Sequence, residues 1–136
     1  MRRDRTNMPE PSHNPDPFPA SDFDDWATQY DEAVSDQGFP FTGYQRLLAE
    51  TVRLTGVKAG MTVLDLGAGT GNLAEKFSAL GCELWCTDFS SQMLACARLK
   101  IPAAHFFLHD LRQSFPPALL RRFDRVVSAY VFHHFD

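Results

Sequence analysis

Apolar residues change their spacing along the chain at Gly60. Before it, Trp26, Tyr30 and Val34, and then Tyr44, Leu47, Leu48, Thr51, Val52 and Thr55, recur at steps of three and four, which gathers side chains on one face of a helix. Gly38-Phe39-Pro40 separates the two stretches and Gly56 ends the second, so two helices are predicted ahead of any sheet. Asp24 stands where an N-cap for the first is expected. After Gly60 short apolar runs take over, with strands predicted at Met61 to Leu66, Cys82 to Thr87, Ala104 to Leu108 and Arg125 to Phe132. Between them fall helices from Asn72 to about Leu80, ended by Gly81, and from Ser91 to Leu99, and a short helix after the Pro116-Pro117 break. Strands that alternate with helices imply right-handed crossovers and a parallel sheet, so the expected class is α/β.

Composition narrows the class. The chain has 136 residues, 44% hydrophobic and 22% charged, enough for one packed core and too short for two domains. Five of the nine prolines, Pro9, Pro11, Pro15, Pro17 and Pro19, lie in the first twenty residues, so 1–21 reads as a disordered tail and 22–136 as the domain. Thirteen basic and seventeen acidic residues leave a net charge of −4, without the positive field that a nucleic-acid backbone requires. The longest apolar run, Val126 to Phe132, spans seven residues against about 20 for a membrane-crossing helix. Prolines and acids follow the basic opening Met1-Arg2-Arg3-Asp4-Arg5 where a secretion signal would have an apolar core. Cys82, Cys86 and Cys96 fit no zinc spacing and read as reduced core thiols of a cytoplasmic protein. His105 and His109 sit four apart on a predicted strand, too far to share an ion, and no metal site is expected.

The predicted first strand empties into Gly67-Ala68-Gly69-Thr70-Gly71 ahead of a helix. Such a loop lets bare backbone and the free amides of a helix start approach a ligand. Dinucleotide sites space their glycines G-x-G-x-x-G, whose third position here would be Asn72, so the spacing disfavours NAD. Asp65, two residues before Gly67, would repel a pyrophosphate and attract an ammonium group. A zwitterionic nucleoside donor, S-adenosyl-L-methionine, suits both halves of the loop. Asp88 follows Gly67 by 21 residues, the distance of about 20 expected of a carboxylate that binds ribose hydroxyls. The same residue also reads as a charge at a helix N-terminus ahead of Ser90 and Ser91, and the two roles are compatible.

Val63-Leu64-Asp65-Leu66-Gly67-Ala68-Gly69-Thr70-Gly71-Asn72-Leu73 resembles the first motif of class I S-adenosylmethionine-dependent methyltransferases, and Thr87-Asp88-Phe89-Ser90 with Met93-Leu94 resembles the second. His109-Asp110-Leu111 is similar to the third-strand motif, and Phe123-Asp124-Arg125-Val126-Val127-Ser128 running to Phe132-His133-His134-Phe135 is similar to the fourth. Asp25-Trp26-Ala27 with Tyr30-Asp31 looks like the N-terminal cap helix of the small-molecule branch. The resemblance implies a Rossmann-like three-layer sheet, mostly parallel, and methyl transfer to a small-molecule acceptor. It implies that Asp65 and the backbone at Gly67 and Gly69 hold the methionyl part, with Gly71 also among the donor-binding residues, Asp88 the ribose, Phe89 and Met93 the adenine face, and Asp110 and Leu111 its amino edge. Tyr30 would cover the donor, although it equally reads as an anchor of its own helix, and Met93 as a core residue.

His133 and His134 stand where an acceptor would be met, and on an extended strand only one of them can face the crevice and act as a base. Asp136 closes the fourth motif, so three further strands of the family sheet are missing and the sheet is expected to be incomplete in its C-terminal half. The fourth strand would then be an apolar edge. This implies a fragment, a truncated product, or a chain that associates with a second copy or a partner along that edge. Methyl transfer and an incomplete, non-catalytic donor-binding module are the two functions carried forward.

Overall fold

The computed structural model describes residues 19–35 and 42–131. Two helices come first, α1 (Ala20–Ser35) and α2 (Tyr44–Thr55), followed by β1 (Thr62–Leu66), α3 (Asn72–Ala79), β2 (Glu83–Asp88), α4 (Ser91–Lys100), β3 (His105–Leu108), a 3-10 turn at Pro117–Leu119 and β4 (Arg125–Val127). All strand pairs are parallel, in the order β3-β2-β1-β4. The α/β class and the parallel sheet read from the sequence are those observed.

Two elements, α1 and β4, differ from expectation. Helix α1 starts at Ala20, inside the segment read as tail. Asp24 therefore lies within the helix, and its carboxylate caps a different one, accepting from Ser90 Oγ and from the Gln92 N–H (3.2 Å) at the start of α4. Strand β4 leaves the ladder after Val127 instead of continuing to Phe132. There Ser128 Oγ donates to the Leu66 carbonyl at 2.8 Å, and Tyr130 adopts a positive φ of 60°. The chain thus turns across the end of β1. Residues 1–18, the Gly38-Phe39-Pro40 break and Phe132 fall outside the described residues.

Alternation along the strands sorts side chains onto two faces. Val63, Leu84, Cys86, Phe106 and Val127 meet Leu48 and Phe77 from the helices, and Ile101 just past α4, in one core. The register pairs Leu64 with Trp85 and Val126, and Trp85 with His105, on the opposite face. On that face Trp85 stacks with His105 and Phe107, and the Arg121 guanidinium lies 4.6 Å from the Trp85 ring centroid. Val126, on edge strand β4, is 56% exposed. The thiols of Cys82 and Cys86 are buried, and burial pushes the Cys86 thiol well above its ordinary range, followed by the charge of Asp65. Among the described residues no helix is long and apolar enough to cross a membrane.

Gly56 closes α2 with φ 62°, its N–H bonding back to the Arg53 carbonyl, and a Cβ there would touch nothing within 4 Å. Gly56→Ala isolates the cost of a left-handed backbone: chemical denaturation is expected to show a loss of about 1 kcal/mol. An unchanged midpoint would mean the cap relaxes.

Candidate functional site

Strand β1 has β2 on one side and β4 on the other, which makes its carboxyl end the switch point where parallel sheets hold ligands. A cavity of about 360 Å³ opens there. Asp65 and Asp88, near the ends of β1 and β2, both line it. Asp65 is 1% exposed, and its Oδ2 is buried with no hydrogen-bond partner among the described residues. Burial, and then the nearby charge of Asp88, push its carboxyl up to about 7.

Asp88 is 7% exposed but well supplied with donors. The Gly69 N–H donates to Oδ2 and the Ser90 N–H to Oδ1, each at 2.9 Å. Burial raises its pKa, the amides of Ser90, Gly69 and Phe89 oppose that, and the charge of Asp24 adds to it. Ser90 Oγ accepts from the Met93 N–H at 3.1 Å, so Asp88 and Ser90 together order the first turn of α4. This is the helix-terminus role the sequence allowed for Asp88, and each oxygen keeps a lone pair for a further donor.

The glycine loop runs between the two acids. Gly67 (φ 70°) lies under Val131, whose Cγ2 would collide with an added Cβ, whereas Gly69 (φ 58°) faces open space. Gly71 stands apart from the other two. It does not line the cavity; at φ 86° it brings the start of α3 against α4, with an added Cβ 3.1 Å from Ala97 Cβ.

Helix α1 supplies one wall through Phe23, Trp26 and Tyr30, the Phe23 ring 5.0 Å from that of Phe89 and Trp26 edge-on to Tyr30 at 4.9 Å. Tyr44 and Tyr130 meet at 5.3 Å, so all three tyrosines of the chain reach this cavity. Burial, followed by Tyr44, raises the Tyr30 hydroxyl far above the usual tyrosine range, which keeps it a neutral donor. Met93 and Leu111 line the cavity with Asp110. Arg112 grips the Asp110 carboxylate, Nη2 to Oδ2 at 2.7 Å, and holds its pKa below the ordinary value.

Tyr30, Asp65, Gly67, Gly69, Asp88, Phe89, Met93, Asp110 and Leu111 thus converge on one cavity. His133 and His134 lie outside the described residues. Sequence reasoning overlooked Tyr44, Tyr130 and His109 as cavity residues. His109 Nε2 is buried without a hydrogen-bond partner among the described residues, and its ring is 5.0 Å from that of Phe115. Its position directly before Asp110 was the available signal. Among the described residues no three His, Cys, Asp or Glu side chains gather as a metal ion requires.

The family described as "Methyltransferase domain" matches residues 63–136. An uncharacterized methyltransferase of Bacillus velezensis is 34% identical over 116 residues, covering 82% of this chain and 52% of the relative. The chain spans about half the length of the curated relatives it matches. Magnesium protoporphyrin IX methyltransferase from Synechocystis PCC 6803, solved with bound S-adenosylmethionine, superposes with a TM-score of 0.64 at 22% identity, over 86% of this chain and 64% of that one. An amino pentose methyltransferase from Micromonospora echinaspora, also solved with bound S-adenosylmethionine, superposes with a TM-score of 0.57 at 25% identity, over 75% and 42%. A family match across more than half its length, over the fold and motifs described above, means that the chain belongs to the methyltransferase-domain family.

Proposed function

We propose that this cavity binds S-adenosyl-L-methionine as its cofactor and that the chain carries the donor-binding half of a methyltransferase acting on a small molecule. The reading rests above all on one observation, the buried and unpartnered Oδ2 of Asp65 at the end of β1. A carboxylate in that state is costly until a cation reaches it, and the donor's ammonium is such a cation. The open space beside Gly69, the spare lone pairs of Asp88 and the apolar wall of Phe89 and Met93 fit the rest of the molecule.

Asp65 would bind the ammonium, the backbone at Gly67 and Gly69 the methionyl chain, and Asp88 the ribose hydroxyls. Phe89 and Met93 would pack on the adenine, with Asp110 and Leu111 at its amino edge. The bound donor supplies an activated methyl group on a sulfonium. The protein's own work is therefore alignment and exclusion of water. Phe23, Trp26 and Tyr30 on α1 serve the second task. No catalytic residue is required by this chemistry, and His133 and His134 stay the candidates for removing a proton where the acceptor has one to lose.

The acceptor is proposed to be a small molecule because aromatic rings wall the cavity and the net charge of −4 disfavours nucleic acid. The magnesium protoporphyrin IX and amino pentose enzymes to which this chain is similar are named for small-molecule acceptors. The acidic balance and the buried thiols suit a cytoplasmic setting. A second reading, that this polypeptide needs a partner to complete its acceptor side, is favoured by the exposed edge at Val126. Self-association along β4 belongs to that reading.

Calorimetry separates the donor assignment from its dinucleotide rival. S-adenosylmethionine is expected to bind with measurable heat and NAD with none. Equal binding of both would end the assignment.

A further inference from the structure

A ring of side chains lies at the back of the cavity, outside the donor contacts proposed above. Asp31, on α1, receives the Thr70 hydroxyl (2.6 Å) and the Asn72 amide (3.0 Å) on Oδ1, and pairs through Oδ2 with Lys100 at the end of α4. Lys100 Nζ also donates to Asn72 Oδ1 at 2.6 Å and to Thr70 Oγ1 at 3.4 Å. Asn72 Nδ2 reaches the Tyr44 hydroxyl on α2 at 3.3 Å. One carboxylate therefore joins the cavity wall on α1 to the glycine loop and to both neighbouring helices.

Thr70 is buried and lies between Gly69, whose amide holds Asp88, and Gly71, whose backbone starts α3. The backbone of the loop is held by the Ala68 N–H on the Thr87 carbonyl, the Gly71 N–H on the Ala68 carbonyl and the Gly69 N–H on Asp88, and the side chains of Thr70 and Asn72 are what tie it to α1. Trp26 and Tyr30 sit on the same helix as Asp31 and line the cavity. Asp31 thus ties wall and loop directly, while Asp24 separately holds the start of the same helix to α4. Charge-assisted hydrogen bonds of this kind are the stronger ones; the Lys100 side chain is 22% and that of Asp31 44% exposed, so water screens the ion pair in part and the hydrogen bonds to Thr70 and Asn72 carry much of the lock.

We infer that Asp31 is a positioning residue for donor binding: through Thr70, Asn72 and Lys100 it locks α1 to the glycine loop, so that the aromatic wall and the loop act as one rigid receptor. The inference rests on the proposed donor site and concerns a residue that does not touch the donor. Opening this lock would loosen the half of α1 that carries Tyr30, with the start of the helix still held at Asp24, and let the donor leave faster with the sheet intact.

The test uses the full chain, with S-adenosylhomocysteine and S-adenosylmethionine as probes. Asp31→Ala is expected to raise the Kd for both by roughly tenfold, carried by faster dissociation. Hydrogen exchange should quicken in α1 and stay slow in β1 and β2. Asp31→Asn, which keeps an acceptor for Thr70, should recover part of the affinity, and Lys100→Met should weaken binding in the same direction. The double variant Asp31→Ala/Lys100→Met should lose little more than Asp31→Ala alone, because both break one network. An unchanged Kd with α1 still protected would overturn the inference. So would additive losses, or loss of protection spread equally over β1 and β2, which would mark Asp31 as a general stabiliser. Absence of binding by the unaltered chain would instead count against the donor assignment itself.

Discussion

Asp65→Asn is expected to make the ligand-free protein more stable at pH 8 and to abolish its affinity for S-adenosylmethionine. The carboxyl is 1% exposed, its Oδ2 lacks a partner among the described residues, and burial pushes its pKa up to about 7 from 3.8. The folded-state value stands above the unfolded one, so between them the folded chain keeps a proton that the unfolded chain has released. The contribution of this group to stability is therefore full below about pH 4 and falls as pH rises through 7. A carboxyl held at about 7 in place of 3.8 corresponds to about 4 kcal/mol. Asn has the same shape and no charge to bury, though its own amide lacks partners, which returns part of the gain. A net rise of about 2 kcal/mol at pH 8, or about 8 °C in Tm, is the expected result. Near pH 4 the difference should vanish or reverse.

Binding should respond in the opposite sense. An ammonium seated on Asp65 requires the ionised form, so the donor must displace the proton that burial retains. For the unaltered protein the Kd should rise as pH falls below about 7, approaching tenfold per unit. Proton uptake by the buffer should be visible as a dependence of the calorimetric heat on the buffer used. In Asp65→Asn both the pH dependence and the binding should disappear, with a Kd raised by roughly a thousandfold, as expected for loss of a buried charged partner. Retained affinity, or a lower Tm at pH 8, would show that the carboxylate is satisfied in some other way.

What was legible in the sequence was local. The switch from helical spacing to short runs after Gly60 located the elements, because periodicity is set by the chain's own geometry. The two acids could be placed because strand, glycine loop and helix are short-range units, and the distance from Gly67 to Asp88 spans one crossover. Contacts between distant segments left no such trace. Asp24 looked like a cap for its own helix and instead caps α4, 66 positions further along at Ser90. Asp31 carried no sign of Thr70 and Asn72, respectively 39 and 41 residues away. The early end of β4 escaped notice for a related reason. Val126 to Phe132 is apolar enough to extend, and only the Ser128 bond to Leu66 and the positive φ of Tyr130 turn it. The same turn brings Tyr130 to Tyr44, which is why the tyrosine wall could not be read from any one segment.

Asp88→Ala is expected to damage the loop and the nucleoside site together. Its two oxygens accept the Gly69 and Ser90 amides at 2.9 Å, and both donors would lose their partner. Amides left unpaired at a buried site, with the first turn of α4 loosened, predict a loss of about 2 to 3 kcal/mol in denaturant unfolding. Affinity for S-adenosylmethionine should fall further than that destabilisation alone explains, by roughly a hundredfold, because the ribose hydroxyls also lose an acceptor. Asp88→Asn separates the two effects. It retains one carbonyl oxygen for an amide, so stability should recover by about half, while its NH2 group meets donors on the ribose side and binding should stay weak. If Asp88→Asn bound as tightly as the unaltered protein, the ribose assignment would fall and Asp88 would be left with the loop and the helix start alone. If Asp88→Ala bound within about threefold, the unpaired amides would have to find water without disturbing the glycine loop, and the loop's dependence on this carboxylate would be refuted as well.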